Sequence, residues 1–487
     1  MPGLRVGVQS AALVPREGIV LRGVAVSATD LPPQHRQILW IEELRLACAT
    51  GITDLMAGRM NLTGIRVRRP TLHAIRLADG SWPITRLLPS DSREGTLPET
   101  ISIEDASLLV EDSTTLGRTQ FRRLHVTLER ESESGGVRVR GTSAGEVFEH
   151  VAFTGRISLT DQRFAVAGSV STLELSERTA GVLPSAFRAC GRFGTTDMQA
   201  DPPLGNRPVL PMHQVATWAS GLHGRADLEW QVSGRLDDLP SSMFTISGSL
   251  AGGRYEHATL PFALTDVRAI FRADRDGGML ESMSARSGSA VVEGSGQWKG
   301  WSTDADFALA LDVQQLIVGR HWEPFLPALA ADQWRKLLPS GEVDLHARLE
   351  RTAGALRPEL SIRCRNLSLT HYRFPYRLDR TVGTVTLEGD AVTLHLVGQA
   401  GGRPVRVEGR FLGLSQSATV APTGFVEVRG EDIGVDEHVL TAMPTGAANL
   451  VRSLRVAGRF GFVFRHERGA AVTGGRSTTL GIRIADG

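Results

Sequence analysis

The chain is almost without lysine: Lys299 and Lys336 are the only two among its 54 Lys and Arg residues. Neither stands in a GK[ST] context, so a Walker-type phosphate loop is excluded. Neither follows a serine by three residues, so the penicillin-binding type of nucleophile is excluded too. Arginine dominance of this kind reads as genome composition, not as an arginine-specific function. Cysteine is equally scarce. Cys48, Cys190 and Cys364 lie far apart and form no C-x-x-C pair, so neither a disulfide framework nor a zinc or redox motif is present. An excess of one charge is also lacking. A net charge of +1 gives no electrostatic case for nucleic acid or an anionic membrane surface. No apolar run approaches the roughly 18 residues needed to span a bilayer. The opening "MPGLRVGVQSAALVPREG" lacks the apolar core of a secretory signal. What remains is a folded, aromatic-poor chain of 487 residues, long enough for two or more structural units.

Catalytic signatures fare no better. "GTSAG" at 141–145 matches G-x-S-x-G with Ser143 as nucleophile, but that chemistry needs a strand, a sharp turn and a helix. Here "EVFEHVAFTG" follows and reads as another strand. The 13 histidines are scattered, with no H-E-x-x-H and no cysteine beside them, so no metal site is expected. His321 near Glu323, and Glu437 beside His438, occupy equivalent places in two repeats, which favours surface roles. Glu42-Glu43 and Glu111-Asp112 read as solvated strand ends. The expectation is a protein without catalytic residues, metal or cofactor.

What the sequence does have is alternation. In "GTVTLEGDAVTLHLVG", Val385 and Leu387, then Val392, Leu394 and Leu396, alternate with polar residues around Gly389-Asp390. That is a hairpin with one apolar and one polar face. "GGVRVRG" (135–141) and "RPVRVEGRF" (403–411) have the same form, and the 53 glycines fall at turn-like spacing. Helices are predicted to be few: 325–341, with Asp332 as a cap, 50–59 and 445–454.

The alternating stretches repeat. Leu260-Pro261-Phe262 and Phe374-Pro375-Tyr376 each precede a similar pair of strands. "LIVGRHWEPFLP" (316–327) matches "IGVDEHVLTAMP" (433–444), and the offset is about 115 residues throughout. A weaker copy lies upstream and carries a Pro/Gly-rich loop near 191–213. The expected segments are 1–89, 90–220, 221–340, 341–465 and a short end at 466–487. Strands closed by a short helical piece and repeated end to end suggest an extended object.

The N-terminal portion adds a family resemblance. Asp54-Leu55-Met56-Ala57-Gly58-Arg59 reads as a short helix. "IRVRRPTLHAIR" (65–76) is a strand containing a proline, and "ADGSWPITRLLP" (78–89) supplies an Asp-Gly-x-Trp turn. In that order these pieces resemble the opening of AsmA-like proteins, the group that includes the TamB relatives of Gram-negative envelopes. The repeats resemble the family's central region. The resemblance implies an elongated, curved antiparallel sheet forming a repeating β-groove. Its apolar side would hold phospholipid acyl chains, in lipid transport between membranes or in outer-membrane biogenesis. It also implies a periplasmic location with an inner-membrane anchor helix. Met1 falls where the family is already in its first strands. An anchor would therefore lie upstream, or the chain is a fragment, or this member is soluble. The groove candidates are Val385, Leu387, Val392, Leu394 and Leu396, with Ile270 and Met279 in the preceding copy. The competing expectation is an envelope scaffold whose apolar face is fully covered.

Overall fold

The structure, a computed structural model, describes residues 3–14, 18–48, 62–77, 82–87, 98–113, 118–131, 136–158, 160–176, 221–238, 241–257, 260–301, 305–326, 328–371, 374–413, 422–442, 445–453, 458–469 and 475–485. The fold is mainly β, with few short helices, as the alternation predicts. Contacts gather the chain into two compact units. The first holds residues 1–253 and 270–276, and the second holds 254–269 and 277–487.

The first unit contains β1 (Leu4–Val14), β2 (Gly18–Ala28), β3 (Gln37–Cys48), β4 (Leu62–Arg76), β5 (Thr100–Asp112), β6 (Arg118–Arg130), β7 (Gly136–Gly145), β8 (His150–Ser158), β9 (Arg163–Leu175) and β10 (Leu222–Arg235). Each pairs with the next, all antiparallel except β4 with β5, which run parallel. A parallel pair cannot be joined by a tight turn. The connection passes through a 3₁₀ turn, Pro83–Leu87, whose Leu87 packs on Val26, Ala28, Leu31 and Ile38. The proline-containing strand is β4. At Arg69-Pro70 its register with β3 is unbroken, Arg68 opposite Glu43 and Pro70 opposite Ile41, while Arg69 takes φ +45°. The expected helix at 50–59 and the loop near 191–213 lie outside the described residues.

After β11 (Met243–Tyr255) and β12 (Leu264–Asp274), the second unit runs through eleven further strands. These are β13 (Gly277–Ser287), β14 (Ala290–Lys299), β15 (Asp306–Val318), β16 (Ser340–Thr352), β17 (Ala355–His371) and β18 (Phe374–Glu388). They continue with β19 (Ala391–Ala400), β20 (Arg403–Leu412), β21 (Thr423–Gly434), β22 (Arg459–Arg468) and β23 (Arg476–Ala485). From β13 onward each pairs antiparallel with the next. The predicted hairpin is β18–β19. Leu387 faces Val392 and Val385 faces Leu394, and Gly389 supplies the positive φ (+58°) that the two-residue turn needs.

The repeat is structural, in a phase set by the helices. Strands β12–β15 lead into a 3₁₀ turn (Arg320–Phe325) and α1 (Ala328–Leu337), then β16–β17. Strands β18–β21 lead into α2 (Glu437–Ala442) and α3 (Thr445–Ser453), then β22–β23. Asp332 does not cap α1. It sits inside the helix, paired with Lys336 one turn on. Asp436 does cap α2, accepting the Val439 N–H at 2.9 Å. Phe262 packs against Trp322 (ring centroids 5.5 Å apart) in one copy, and Tyr376 packs on the Ala400, Val405, Ile433 and Val439 cluster in the other. The third residue of each triplet therefore meets the helical segment of its own copy.

Positions of positive φ repeat as well. Asp266 in β12 and Arg380 in β18 hold φ of +49° and +50°, and Gln315 in β15 and Asp432 in β21 hold +56° and +59°. Each such non-glycine residue costs about 1 kcal/mol of backbone strain. Hydrogen bonds offset it: the Gln315 N–H is accepted by Asp344 Oδ1 at 3.0 Å, and in the upstream copy the Thr172 N–H by Asp227 Oδ1 at 2.8 Å. Bulges shift the alternation and bend the strand that carries them.

Candidate functional site

Residues directly opposite on neighbouring strands share a face of the sheet. In the second unit one such row runs Ala285, Val292, Val313, Leu345, Ile362, Val385, Leu394, Gly409, Val426. The row one residue over runs Glu293, Asp312, His346, Ser361, Thr386, Thr393, Arg410. The first is wholly apolar and the second wholly polar. At about 4.8 Å per strand, the apolar row extends about 38 Å. The first unit has the same two-faced construction, with Leu44, Val67, Ile103, Val126, Gly141, Phe153, Gly168 and Trp230 in one row.

The apolar face of the second unit is not evenly buried. Toward the helical segments it is closed: Val313 is 3%, Leu316 4% and Ile433 1% exposed, and Cys364 and Val405 are buried with them. Burial pushes the Cys364 thiol up to about 11, which leaves it unreactive at neutral pH. Toward the other end of the strands the same face opens. Leu309 is 38% exposed, and Leu349, Leu360, Leu387, Val392 and Phe411 are half-buried. Arg351 stands at this end with its guanidinium 5.2 Å from the Phe307 ring centre, and its Nε donates to the Ala305 carbonyl at 2.9 Å. Trp298 and Trp301 meet edge to face nearby in sequence, and Trp301 is exposed. The third-segment tryptophans divide accordingly: Trp322 and Trp334 donate to the carbonyls of Ile317 and Gly319 on the helical side.

Val385, Leu387, Val392, Leu394 and Leu396 share the apolar face, with Leu396 buried and the other four half-buried. Met279 does not. Met279 faces Gln297, on the polar side, and is 39% exposed. Ile270 is 50% exposed beside the half-buried Phe271. The cause is phase. A register shift between Leu280 and Met283 puts Leu280, Met283 and Ala285 on the apolar face instead.

Ser143 lies within β7, followed by β8, and its hydroxyl donates to the Arg122 carbonyl at 3.1 Å. It is buried on the apolar face of the first unit, not raised on a strand-to-helix turn. Glu43 corrects a different expectation. It is no solvated strand end but a buried carboxylate within β3, bonded to Arg45 and flanked by Arg22 and Arg68. Glu427 repeats this in β21. It is 7% exposed, between Arg429 and Arg465. The hydrogen bond from Arg429 leads in holding its carboxyl below the usual range, against the upward push of burial, with Arg465 adding to it. Glu323 pairs with Arg335 and Glu437 with Arg452, as surface roles require. One grouping was not visible in the sequence: His35, His73 and Glu111 converge in the first unit.

Compared with protein-family models, curated proteins and solved structures, the chain matches none. Among the described residues, no helix is long and apolar enough to cross a membrane.

Proposed function

We propose that the chain is an AsmA-like envelope protein that shelters phospholipid acyl chains on its apolar sheet face, without catalysis. The observation that carries this is the uninterrupted apolar row of the second unit, closed at one strand end and open at the other. A sheet with one apolar face must cover that face with something. Each methylene buried there gains about 0.8 kcal/mol, so an acyl chain binds without any polar signature in the protein. One leaflet's hydrocarbon is about 15 Å thick, so a row of about 38 Å exceeds the length of one chain. The function is then movement of phospholipid across the periplasm or supply of the outer membrane.

The test is lipid extraction from the purified chain, read by mass spectrometry, for wild type and Leu394→Arg. Leu394 is half-buried beside Gly409, so an arginine there can carry its head to water by snorkelling. The expected result is phospholipid in the wild type, reduced in a folded variant. A lipid-free wild type together with an unfolded variant would favour the scaffold reading, in which the face is a sealed core.

A further inference from the structure

Three side chains far apart in the sequence meet in the first unit. His35 ends a short 3₁₀ turn, Pro33–His35, between β2 and β3. His73 lies on β4, and Glu111 lies near the end of β5. The parallel register sets Ile75 opposite Glu111, which brings Glu111 diagonally beside His73. His73 Nε2 and Glu111 Oε2 are 2.7 Å apart. The His35 and His73 rings are 5.7 Å apart at a 54° tilt. One nitrogen from each ring and one carboxylate oxygen all lie within 4.8 Å of one another, and all three residues are half-buried.

We propose that His35, His73 and Glu111 bind a divalent transition-metal ion of the Zn²⁺ type. Two imidazoles and one carboxylate form a donor set suited to such an ion, with water completing the coordination. On a tetrahedral ion with bonds of about 2.1 Å, neighbouring ligand atoms stand about 3.4 Å apart. The observed 2.7 Å pair and the 4.8 Å limit bracket that spacing, so closure needs only small side-chain shifts. Two further observations fit. Nδ1 of His35 is shut off from solvent and has no hydrogen-bond partner, a state that a metal bond would relieve. Arg118 Nε lies 3.4 Å from Glu111 Oε1, which orients the carboxylate and leaves the other oxygen, Oε2, toward His73. The ion would tie the turn before β3 to β4–β5, the one parallel pair among the described strands of the first unit.

The experiment is calorimetric titration of the full chain with Zn²⁺ alone, repeated for His35→Ala, Glu111→Gln and a control, His346→Ala. The control removes the His346–Asp312 pair of the second unit, 3.0 Å long. The expected result is one equivalent bound by wild type and control, and at least about tenfold weaker binding in the other two. Glu111→Gln keeps the size of the side chain, so it separates loss of a ligand from loss of fold, checked by circular dichroism. Co²⁺ in place of Zn²⁺ should give visible bands of nitrogen and oxygen ligation without thiolate charge transfer. No stoichiometric binding by the wild type, or equal binding by wild type and Glu111→Gln, overturns the proposal.

Discussion

The two ends of the strands in the second unit are built from the same kinds of residue and end up in different states. Val313, Leu316 and Ile433 lie at the end where the helical segments cross and are buried almost completely. Leu309, on the same strand as Val313 and the same face, keeps 38% of its surface. Composition does not separate them. What differs is what lies above: α2 brings Val439 onto Ala400, Val405 and Ile433, and bulges at Gln315 and Asp432 bend the strands beneath. The lesson is that one apolar stripe can be core along part of its length and surface along the rest. Stability then comes from the first part, and binding is available to the second.

Placing a charge in each end should break this comparison most visibly. Ile433→Asp buries an unpaired carboxylate in the closed cluster and should cost about 4 kcal/mol or unfold the unit outright. Leu309→Asp leaves the charge within reach of water and should cost about 1 kcal/mol. Urea unfolding followed by circular dichroism checks both. Equal costs would mean that the face is sealed throughout.

A smaller effect sharpens the contrast on the polar face. The folded carboxyl of Glu427 is held below its unfolded value, chiefly by the Arg429 hydrogen bond. Its contribution to stability is therefore complete above about pH 4.3, the ordinary glutamate value, and is lost as the pH falls through the lower folded value. Glu43 should behave alike in the first unit, with Arg45 in the leading role. Glu427→Gln should flatten the acid limb of the stability curve while leaving the midpoint between pH 6 and 8 nearly independent of pH, as a melting series would record.

The sequence made some of this legible for a physical reason. Between Gly383 and Gly398 the alternation runs without a bulge, so the register of β18–β19 follows from counting. In β13 counting fails. A shifted register after Leu280 changes the phase, which is why Met279 turns outward. Neither Glu281 nor Ser282, the residues at that shift, is glycine, the usual marker of an irregular backbone. The His35, His73 and Glu111 grouping was hidden differently. It depends on the parallel pairing of β4 and β5, a long-range choice that no local pattern encodes. Glu43 and Glu427 were hidden because their burial comes from arginines on neighbouring strands, paired by register.

The central claim is that one face of the second unit meets lipid and the other does not. Photo-crosslinking amino acids placed one at a time at Leu309 and Leu387, and at their polar-face neighbours Ala308 and Thr386, test it directly in cells labelled in their phospholipid. Adjacent residues of one strand differ only in the face they occupy. The account predicts lipid adducts at 309 and 387 and none at 308 and 386. Adducts at all four positions, or at none, would contradict it.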